Sequence, residues 1–214
     1  PHMRYGALVK PPSPNAVLRD APKKLNMPDV DIVRDGSFLG VIAAREEQAV
    51  EAAGKLAAAA RWDVVPLTPL PGAVPEYLRG RVSASLPVKG GTPVEEPVST
   101  PEIPIAAQQT LQASYYRPYQ MHGAMGPSAA IAQYMNGTLT VYSHSQGVEL
   151  LKLALADVLN LPKEQVHVIH AEGAGCYGHN GADDVALDAA LLAIATEPDP
   201  VRVQWTRADE HGLE

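Results

Sequence analysis

The chain of 214 residues contains few charged side chains, a single cysteine and a single phenylalanine. One cysteine excludes an internal disulfide framework. The net charge of −7 and the lack of any basic run argue against nucleic-acid binding. No apolar run is long enough to cross a bilayer, and no signal peptide is visible. Charged residues make up only 19% of the chain, which indicates that part of the surface is covered by a partner or by further sequence.

We expect the chain to be a piece of a longer polypeptide. It opens within a strand-like pattern at residues 3–9 and stops abruptly after residues 211–214. Apolar residues make up 46% of the sequence, so a buried core can form. The sequence leaves the compartment open between cytoplasm and periplasm, because neither composition nor cysteine usage identifies it.

Residues 1–63 predict a small α+β unit. Strand-like runs at 30–33 and 38–43 flank Asp35-Gly36, and Asp-Gly between two such runs is a strong hairpin signal. An Ala- and Glu-rich stretch at 45–60 predicts a helix. The predicted apolar face of this helix comprises Val50, Ala53, Leu56, Ala57 and Ala60.

Residues 64–112 are rich in proline. Nine of the 20 prolines fall between Pro66 and Pro104, and proline removes backbone donors and fixes φ. This segment therefore predicts an extended connector laid over a neighbouring surface. A disordered linker is an equally good interpretation of the same composition.

Residues 113–214 predict alternating strands and helices. Strands are expected at 139–143, 166–170 and 201–205, and helices at 147–159 and 185–196, with Ser145 as the N-cap of the first helix. A β-α-β-α-β order usually gives parallel strands joined by right-handed crossovers. The predicted fold class is thus α+β, with a β-α-β-α-β region after the proline-rich connector.

A glycine-dense turn lies at residues 172–181, between the second of these strands and the second helix. Its four glycines allow backbone N–H groups to approach a ligand closely, as in turns that hold anionic groups. The loop at 143–147 follows the preceding strand, and ligands bind beyond the carboxyl ends of such strands. The two loops together predict a site, although a tight turn alone would also explain the glycines.

Other side chains of these loops allow several interpretations. Gln146, taken alone, is best explained as a helix cap or a solvent-facing residue. Cys176 and His179 resemble half of a zinc site, but no second pair of ligands is suitably spaced. A nucleophilic Cys176 would need a base, and the candidates are His122, His144 and His179.

Three stretches carry a family resemblance: residues 115–128, 143–147 and 173–184. In this order they resemble the molybdopterin-binding large subunit of the xanthine dehydrogenase/aldehyde oxidase family. The most similar branch contains isoquinoline 1-oxidoreductase-like and nicotinate dehydrogenase-like subunits. Residues 1–63 resemble part of the family's hammerhead domain, and residues 113–214 resemble the first part of its molybdenum-cofactor-binding domain.

The resemblance implies a molybdenum hydroxylase that oxidises an aldehyde or an N-heterocycle with oxygen taken from water. It implies a molybdenum-pterin cofactor, in the cytosine dinucleotide form, and iron–sulfur clusters on a small partner subunit. A cytochrome c subunit occurs in some branches. Gln146 matches the family's glutamine near an oxygen ligand of the metal, and no protein side chain here is expected to bind the metal directly. The implied cofactor-binding residues are Gln146, Gly175, Cys176, Tyr177, Gly178 and His179.

The chain also departs from the family pattern. Many relatives have Gly-Gly-Phe-Gly-Gly-Lys-Glu where this chain has Gly-Ala-Gly-Cys-Tyr-Gly-His-Asn, and the family's general-base glutamate lies in a stretch that this chain lacks. We therefore expect the chain alone to be inactive and to bind the cofactor weakly or not at all. A non-catalytic assembly module and a hydrolase built on Cys176 are the alternatives. The substrate, the electron acceptor and the role of His122 stay undetermined.

Overall fold

A computed structural model describes residues 2–64, 74–81, 84–99, 102–117 and 120–213. The chain divides into two compact units, one formed by Pro1–Val65 with Met121–Glu214 and the other by Pro66–Gln120. The division predicted from sequence, 1–63, 64–112 and 113–214, stays a prediction. Part of the expected connector, at residues 65–73, 82–83 and 100–101, lies outside the described residues, as do residues 118 and 119 of the first resemblance stretch.

The first unit contains most of the regular structure. Its elements up to residue 65 are β1 (Arg4–Leu8), β2 (Val17–Asp20), β3 (Val30–Asp35), β4 (Phe38–Ala43), α1 (Glu46–Ala59) and β5 (Arg61–Asp63). In the second unit, α2 (Val74–Arg79) precedes a short hairpin of β6 (Val88–Lys89) and β7 (Thr92–Pro93). The first unit then resumes with β8 (Ala129–Met135), β9 (Thr138–Ser143), α3 (Val148–Val158), β10 (Val166–His170), α4 (Ala182–Ala195), β11 (Val201–Gln204) and α5 (Arg207–Leu213).

Seven strands form one mixed sheet in the order β10-β9-β8-β11-β1-β4-β3. The pairs β9–β10 and β1–β11 are parallel, and the other neighbours are antiparallel. The α+β class is confirmed. The parallel crossover from β9 through α3 to β10 is also confirmed, but β11 does not extend that parallel run. It lies between β8 and β1, so that β8 separates it from β9 and β10.

The strand β8, which is absent from the sequence prediction, explains this difference. It forms a hairpin with β9 through Asn136-Gly137, whose φ angles are 51° and 80°. Positive φ at both turn residues suits the right-handed twist of a hairpin, and Asn-Gly is its usual sequence. The antiparallel β8 takes the place beside β9 and leaves β11 to pair on its far edge.

Two apolar layers cover the sheet. On one face α4 crosses β8, β11 and β9, while α3 packs on β10. The α4 side is almost entirely apolar, with Val185, Ala189, Leu192 and Ala193 fully buried. On the other face α1 packs against β1 and β4. Both α1 and the β3–β4 hairpin agree with the sequence prediction.

The predicted apolar face of α1 is partly wrong. Val50 is 55% exposed and Ala57 is also exposed, whereas Ala53 and Leu56 are buried as expected. The face that meets β1 and β4 is rotated toward Ala49 and Ala52, because the small alanines allow the helix to approach the sheet closely. The predicted Ser145 cap of α3 is also wrong, since Gly147 occupies that position and the Ser145 hydroxyl accepts its N–H at 3.1 Å.

Candidate functional site

The candidate site lies where β9 and β10 end. Because these strands are parallel and Ser143 is opposite His170, the loops that follow them leave the sheet at the same edge. The side-chain Nε2 of Gln146, in the first loop, donates a 3.4 Å hydrogen bond to the carbonyl oxygen of Gly178, in the second. The two loops that were predicted from the sequence to form a site are therefore in contact.

A cleft of about 180 Å³ opens between these loops. It is lined by His144, Ser145, Gln146, His170, Gly173, Gly175, Cys176 and Asn180. Of the predicted site residues, Gln146, Gly175 and Cys176 line the cleft. Tyr177, Gly178 and His179 continue the same loop without lining it, and the Tyr177 side chain is 61% exposed.

The backbone of the glycine-dense loop is in unusual conformations. Gly175 has φ +86°, Tyr177 φ +53° and Gly178 φ +133°. A left-handed φ is uncommon for a non-glycine residue and costs of order 1–3 kcal/mol, so the Tyr177 conformation has to be maintained by its surroundings. Such runs of unusual φ turn successive peptide N–H groups away from helix or strand pairing, which suits an anion-binding loop.

His122 explains why residue 178 is a glycine. A Cβ at this position would lie 2.4 Å from Cδ2 of the His122 ring. His122 also meets His179 edge to face, with ring centroids 6.3 Å apart. The segment before β8 is joined to the loop by a further bond, from Met125 N–H to the Ala174 carbonyl at 3.3 Å. The His122 ring therefore packs against the glycine-dense loop.

Helix α5 holds the segment that carries His122. Both terminal nitrogens of Arg207 donate to carbonyl oxygens, one to Ala124 and the other to Met125, at 2.7 Å each. The fully buried Glu210 accepts the Ser128 N–H at 2.5 Å. A buried carboxylate is tolerated where it accepts such bonds, so α5 fixes the chain just before β8.

Two residues outside the predicted set connect the loops. Asn180 is 4% exposed, and its Nδ2 lies 3.3 Å from Nδ1 of His144 and 3.4 Å from the Gly175 carbonyl. The N–H of Ala129, at the start of β8, donates to Nε2 of the same imidazole at 3.3 Å. The sequence indicates His144 only as a possible base and assigns Asn180 no role. An Asn just before a helix was the available signal, because such residues bond to nearby backbone.

Burial lowers the pKa of His144 from its ordinary value of 6.5. The nearby His170 acts in the same direction, while Glu210 and Asp183 oppose the shift. A neutral ring has one lone pair and accepts from only one of its two donor neighbours, whereas a protonated ring accepts from neither.

Within the part of the chain that the structure describes, no group of three or more His, Cys, Asp and Glu side chains could hold a metal ion. Cys176 is a half-buried free thiol. Over the same residues, no helix combines the length and the apolar character that crossing a bilayer requires.

Comparisons with known proteins give consistent results. A family model described as the molybdopterin cofactor-binding domain matches residues 101–212. A nicotinate dehydrogenase subunit of Pseudomonas putida is 35% identical over 99% of this chain, which spans 18% of that relative's length. The aldehyde oxidoreductase molybdenum-binding subunit PaoC of Escherichia coli is 32% identical over 48% of this chain and 14% of its own length.

Solved structures share the fold. Quinoline 2-oxidoreductase from Pseudomonas putida matches with a TM-score of 0.65 and 15% identity, over 97% of this chain and 31% of the other. Aldehyde oxidoreductase from Desulfovibrio gigas matches with a TM-score of 0.63 and 19% identity, over 96% of this chain and 27% of the other. At these identities the likeness concerns the path of the backbone.

Proposed function

We propose, from the premise that this chain belongs to the molybdopterin cofactor-binding domain family of molybdenum hydroxylases, that it forms part of the large subunit of an oxidoreductase. That enzyme would oxidise an aldehyde or an N-heterocycle with oxygen from water. The observation that carries the proposal is the hydrogen bond between Gln146 and Gly178, which unites the two loops at one cleft. The chain spans 18% of its nicotinate dehydrogenase relative, so activity is proposed for a larger polypeptide.

The residues of the cleft fit one edge of a molybdenum-pterin cofactor. Gln146 is exposed at the end of β9, and a carboxamide offers both a donor and an acceptor to an oxygen ligand of the metal. The loop from Gly175 to Gly178 would present backbone N–H groups to the anionic side of the cofactor. When bound, the cofactor supplies the two-electron redox chemistry, and the protein supplies orientation and hydrogen bonds.

The size of the cleft supports weak binding by this chain alone. Its volume is about 180 Å³, and it is open to solvent on one side. Pockets that enclose a ligand usually measure about 300–1,000 Å³ and cover most of the ligand surface. The remaining walls of the cofactor site would therefore come from other polypeptide. We propose on this ground that the chain alone is inactive.

We propose an N-heterocycle rather than an aldehyde as the substrate, a choice supported by the longer match to the nicotinate dehydrogenase relative. The nicotinate dehydrogenase relative matches along 99% of the chain, whereas the aldehyde oxidoreductase subunit matches along 48%. We further propose the cytosine dinucleotide form of the cofactor, an iron–sulfur small subunit and, in some assemblies, a cytochrome c subunit. The assignment of residues 1–63 to a hammerhead domain belongs to the same proposal.

Replacing Gln146 in the full-length protein tests the proposal. Gln146→Ala should reduce turnover of nicotinate by about 100-fold, in the range seen for removal of one positioned hydrogen-bond donor, while the fold stays intact. Gln133→Ala is the matched control, because this glutamine donates to the Pro198 carbonyl at the opposite end of β8. Full-length protein that lacks molybdenum in elemental analysis would contradict the proposal, as would unchanged turnover in the Gln146 variant.

A second candidate, a non-catalytic assembly module, is favoured by the second unit. Large apolar side chains of its irregular segment face solvent, among them Ile105, Leu111 and Tyr115, each more than 80% exposed. An assembly module should oligomerise or bind a partner chain without any cofactor. Sedimentation analysis of the purified chain tests self-association, and a stable monomer would count against an assembly module built from copies of this chain.

A further inference from the structure

We infer that His144 and Asn180 are positioning residues of the candidate site, which tie the glycine-dense loop to the end of β9 and orient the Gly175 peptide. That these residues serve a cofactor site rests on the proposed function. The contacts by which they hold the loop are those of this chain. Neither side chain was among the residues expected to touch the cofactor. Both act through the loop that does.

Asn180 uses every polar atom of its side chain. Its Oδ1 accepts the Ala182 N–H at 3.1 Å, and its Nδ2 reaches both the Gly175 carbonyl and Nδ1 of His144. The first bond fixes the start of α4, and the second fixes the peptide that follows Gly175. Because the amide is 4% exposed, water cannot replace these bonds cheaply if they are lost.

His144 supports the loop from the other side. A Cβ at position 173 would lie 2.7 Å from its ring atoms, so the Gly173 backbone packs directly against the imidazole. The ring also accepts the Ala129 N–H, which joins it to the start of β8. The Ser143 hydroxyl donates to the Ala182 carbonyl at 3.1 Å and adds a second link between β9 and α4.

The two side chains thus connect three elements at one point. The pairing of β8 with β9 and the Ser143–Ala182 bond already join these elements to one another, and the two side chains extend the connection to the glycine-dense loop. Gln146 lies two residues beyond His144, and Gly178 lies two residues before Asn180. A displacement of either positioning residue would therefore change the separation of Gln146 from the Gly178 peptide, which controls the geometry of the cleft.

Protonation of His144 should release this connection. A neutral imidazole has one lone pair for its two donor neighbours, whereas a protonated ring has none. The charged groups that face it are Asp183 on α4 and Glu210 on α5, with His170 on β10. A glutamine at position 144 could accept a hydrogen bond at any pH, because its amide does not titrate.

Amide hydrogen exchange of the chain, measured by mass spectrometry without any cofactor, tests the inference. Asn180→Ala and His144→Ala should each accelerate exchange at residues 123–129 by about tenfold, because the Met125 N–H donates to the Ala174 carbonyl of the glycine-dense loop and the Ala129 N–H donates to His144. A lost buried hydrogen bond shifts local opening by roughly that factor. Exchange in β1 and β4 should stay unchanged. His167→Ala is the matched control, because His167 is exposed on the neighbouring strand β10.

Two further variants separate positioning from general support. His144→Gln should restore the slow exchange and should keep it at pH 5, where the wild-type loop opens. Asn180→Asp retains the acceptor for Ala182 but has no N–H for Gly175, so it decides the question if Asn180→Ala does not fold. Unchanged exchange at residues 123–129 in Asn180→Asp and His144→Ala would overturn the inference, as would failure of His144→Gln to restore protection. These measurements involve no molybdenum. A negative result would therefore overturn the positioning role without deciding the proposed function, which the molybdenum and turnover measurements test separately.

Discussion

Leu192 of α4 lies directly over Gly6 of β1. A Cβ at residue 6 would fall 2.4 Å from Cδ1 of Leu192, and a Cβ at Gly40 on the neighbouring strand β4 would fall 3.0 Å from Cδ2 of the same side chain. A glycine inside a strand usually marks such a close approach. The two glycines form the recess in which the central helix meets the sheet.

The first prediction follows from this recess. Gly6→Ala should lower the free energy of unfolding by about 1–3 kcal/mol, because an added methyl group overpacks a fully buried site. Gly54→Ala is the control. It lies within α1 with nothing within 4 Å, and should raise stability by about 0.5–1 kcal/mol through helix propensity. Urea denaturation of both variants measures the difference, and equal effects would contradict the proposed overpacking.

The second prediction concerns the contact between Gly178 and His122. Gly178→Asn should open the loop, because φ +133° is outside the left-handed region that Asn tolerates and the new side chain would meet the His122 ring. Gly36→Asn should be silent, since Gly36 has φ +55° and nothing within 4 Å. Limited proteolysis at residues 172–181 should accelerate only in the Gly178 variant, and the same rate in both variants would refute the steric argument.

The third prediction concerns a buried ion pair. Lys10 Nζ lies 2.7 Å from Oδ2 of Asp188 and 4.1 Å from the centre of the Trp205 ring, whose Nε1 donates to the same carboxylate oxygen at 2.8 Å. Lys10→Met should destabilise the fold by about 2–4 kcal/mol, because it leaves a carboxylate buried without its cation.

The double variant Lys10→Met with Asp188→Leu is the control for this pair. It should recover part of the lost stability, because no charge then remains buried although the Trp205 N–H loses its acceptor. Burial already raises the pKa of Asp188 above its ordinary value of 3.8, with Lys10 and Trp205 opposing the shift. A raised carboxyl pKa means that stability falls as pH rises through that range, so the Lys10→Met variant should be most destabilised at neutral pH. Chemical denaturation at two pH values tests both statements.

The fourth prediction concerns acid. Because burial depresses the pKa of His144 in the folded protein, the unfolded chain binds the proton more readily. The stability contribution of this residue is complete above about pH 6.5 and is lost as pH falls from there toward the depressed folded value. Denaturation midpoints measured from pH 8 to pH 5 should decline less steeply in His144→Gln than in the wild type, and parallel curves would show that other groups cause the decline.

Local patterns predicted much of this fold. The β3–β4 hairpin and the run β9-α3-β10-α4-β11 lie where alternation, helical periodicity and turn residues indicate them, although the hairpin turn is Gly36-Ser37 and Asp35 still belongs to β3. The order of strands could not be predicted in this way. It depends on β8, for which the Asn136-Gly137 turn was the available signal beside a weak alanine-rich strand pattern, and on the pairings of β11 with β1 and β8. Such pairings join distant parts of the chain and leave no local mark.

The candidate site was likewise predictable from the sequence only in part. Glycine content and the carboxyl ends of strands indicated the two loops, and the parallel register of β9 and β10 places them together. The connection between His144 and Asn180 joins residues that are 36 positions apart. Its three partners are backbone groups that every residue type possesses, so residue identity alone could not reveal it.

The pairing of β1 with β11 also determines when this sheet can be completed. Arg4 is opposite Val201, and Gly6 is opposite Val203, so β1 is synthesised long before its parallel neighbour. Contacts of such long sequence separation slow folding because the intervening chain must first be ordered. During synthesis the β3–β4 hairpin and α1 can form early, while the far edge of β1 stays without its partner until residue 204 has emerged.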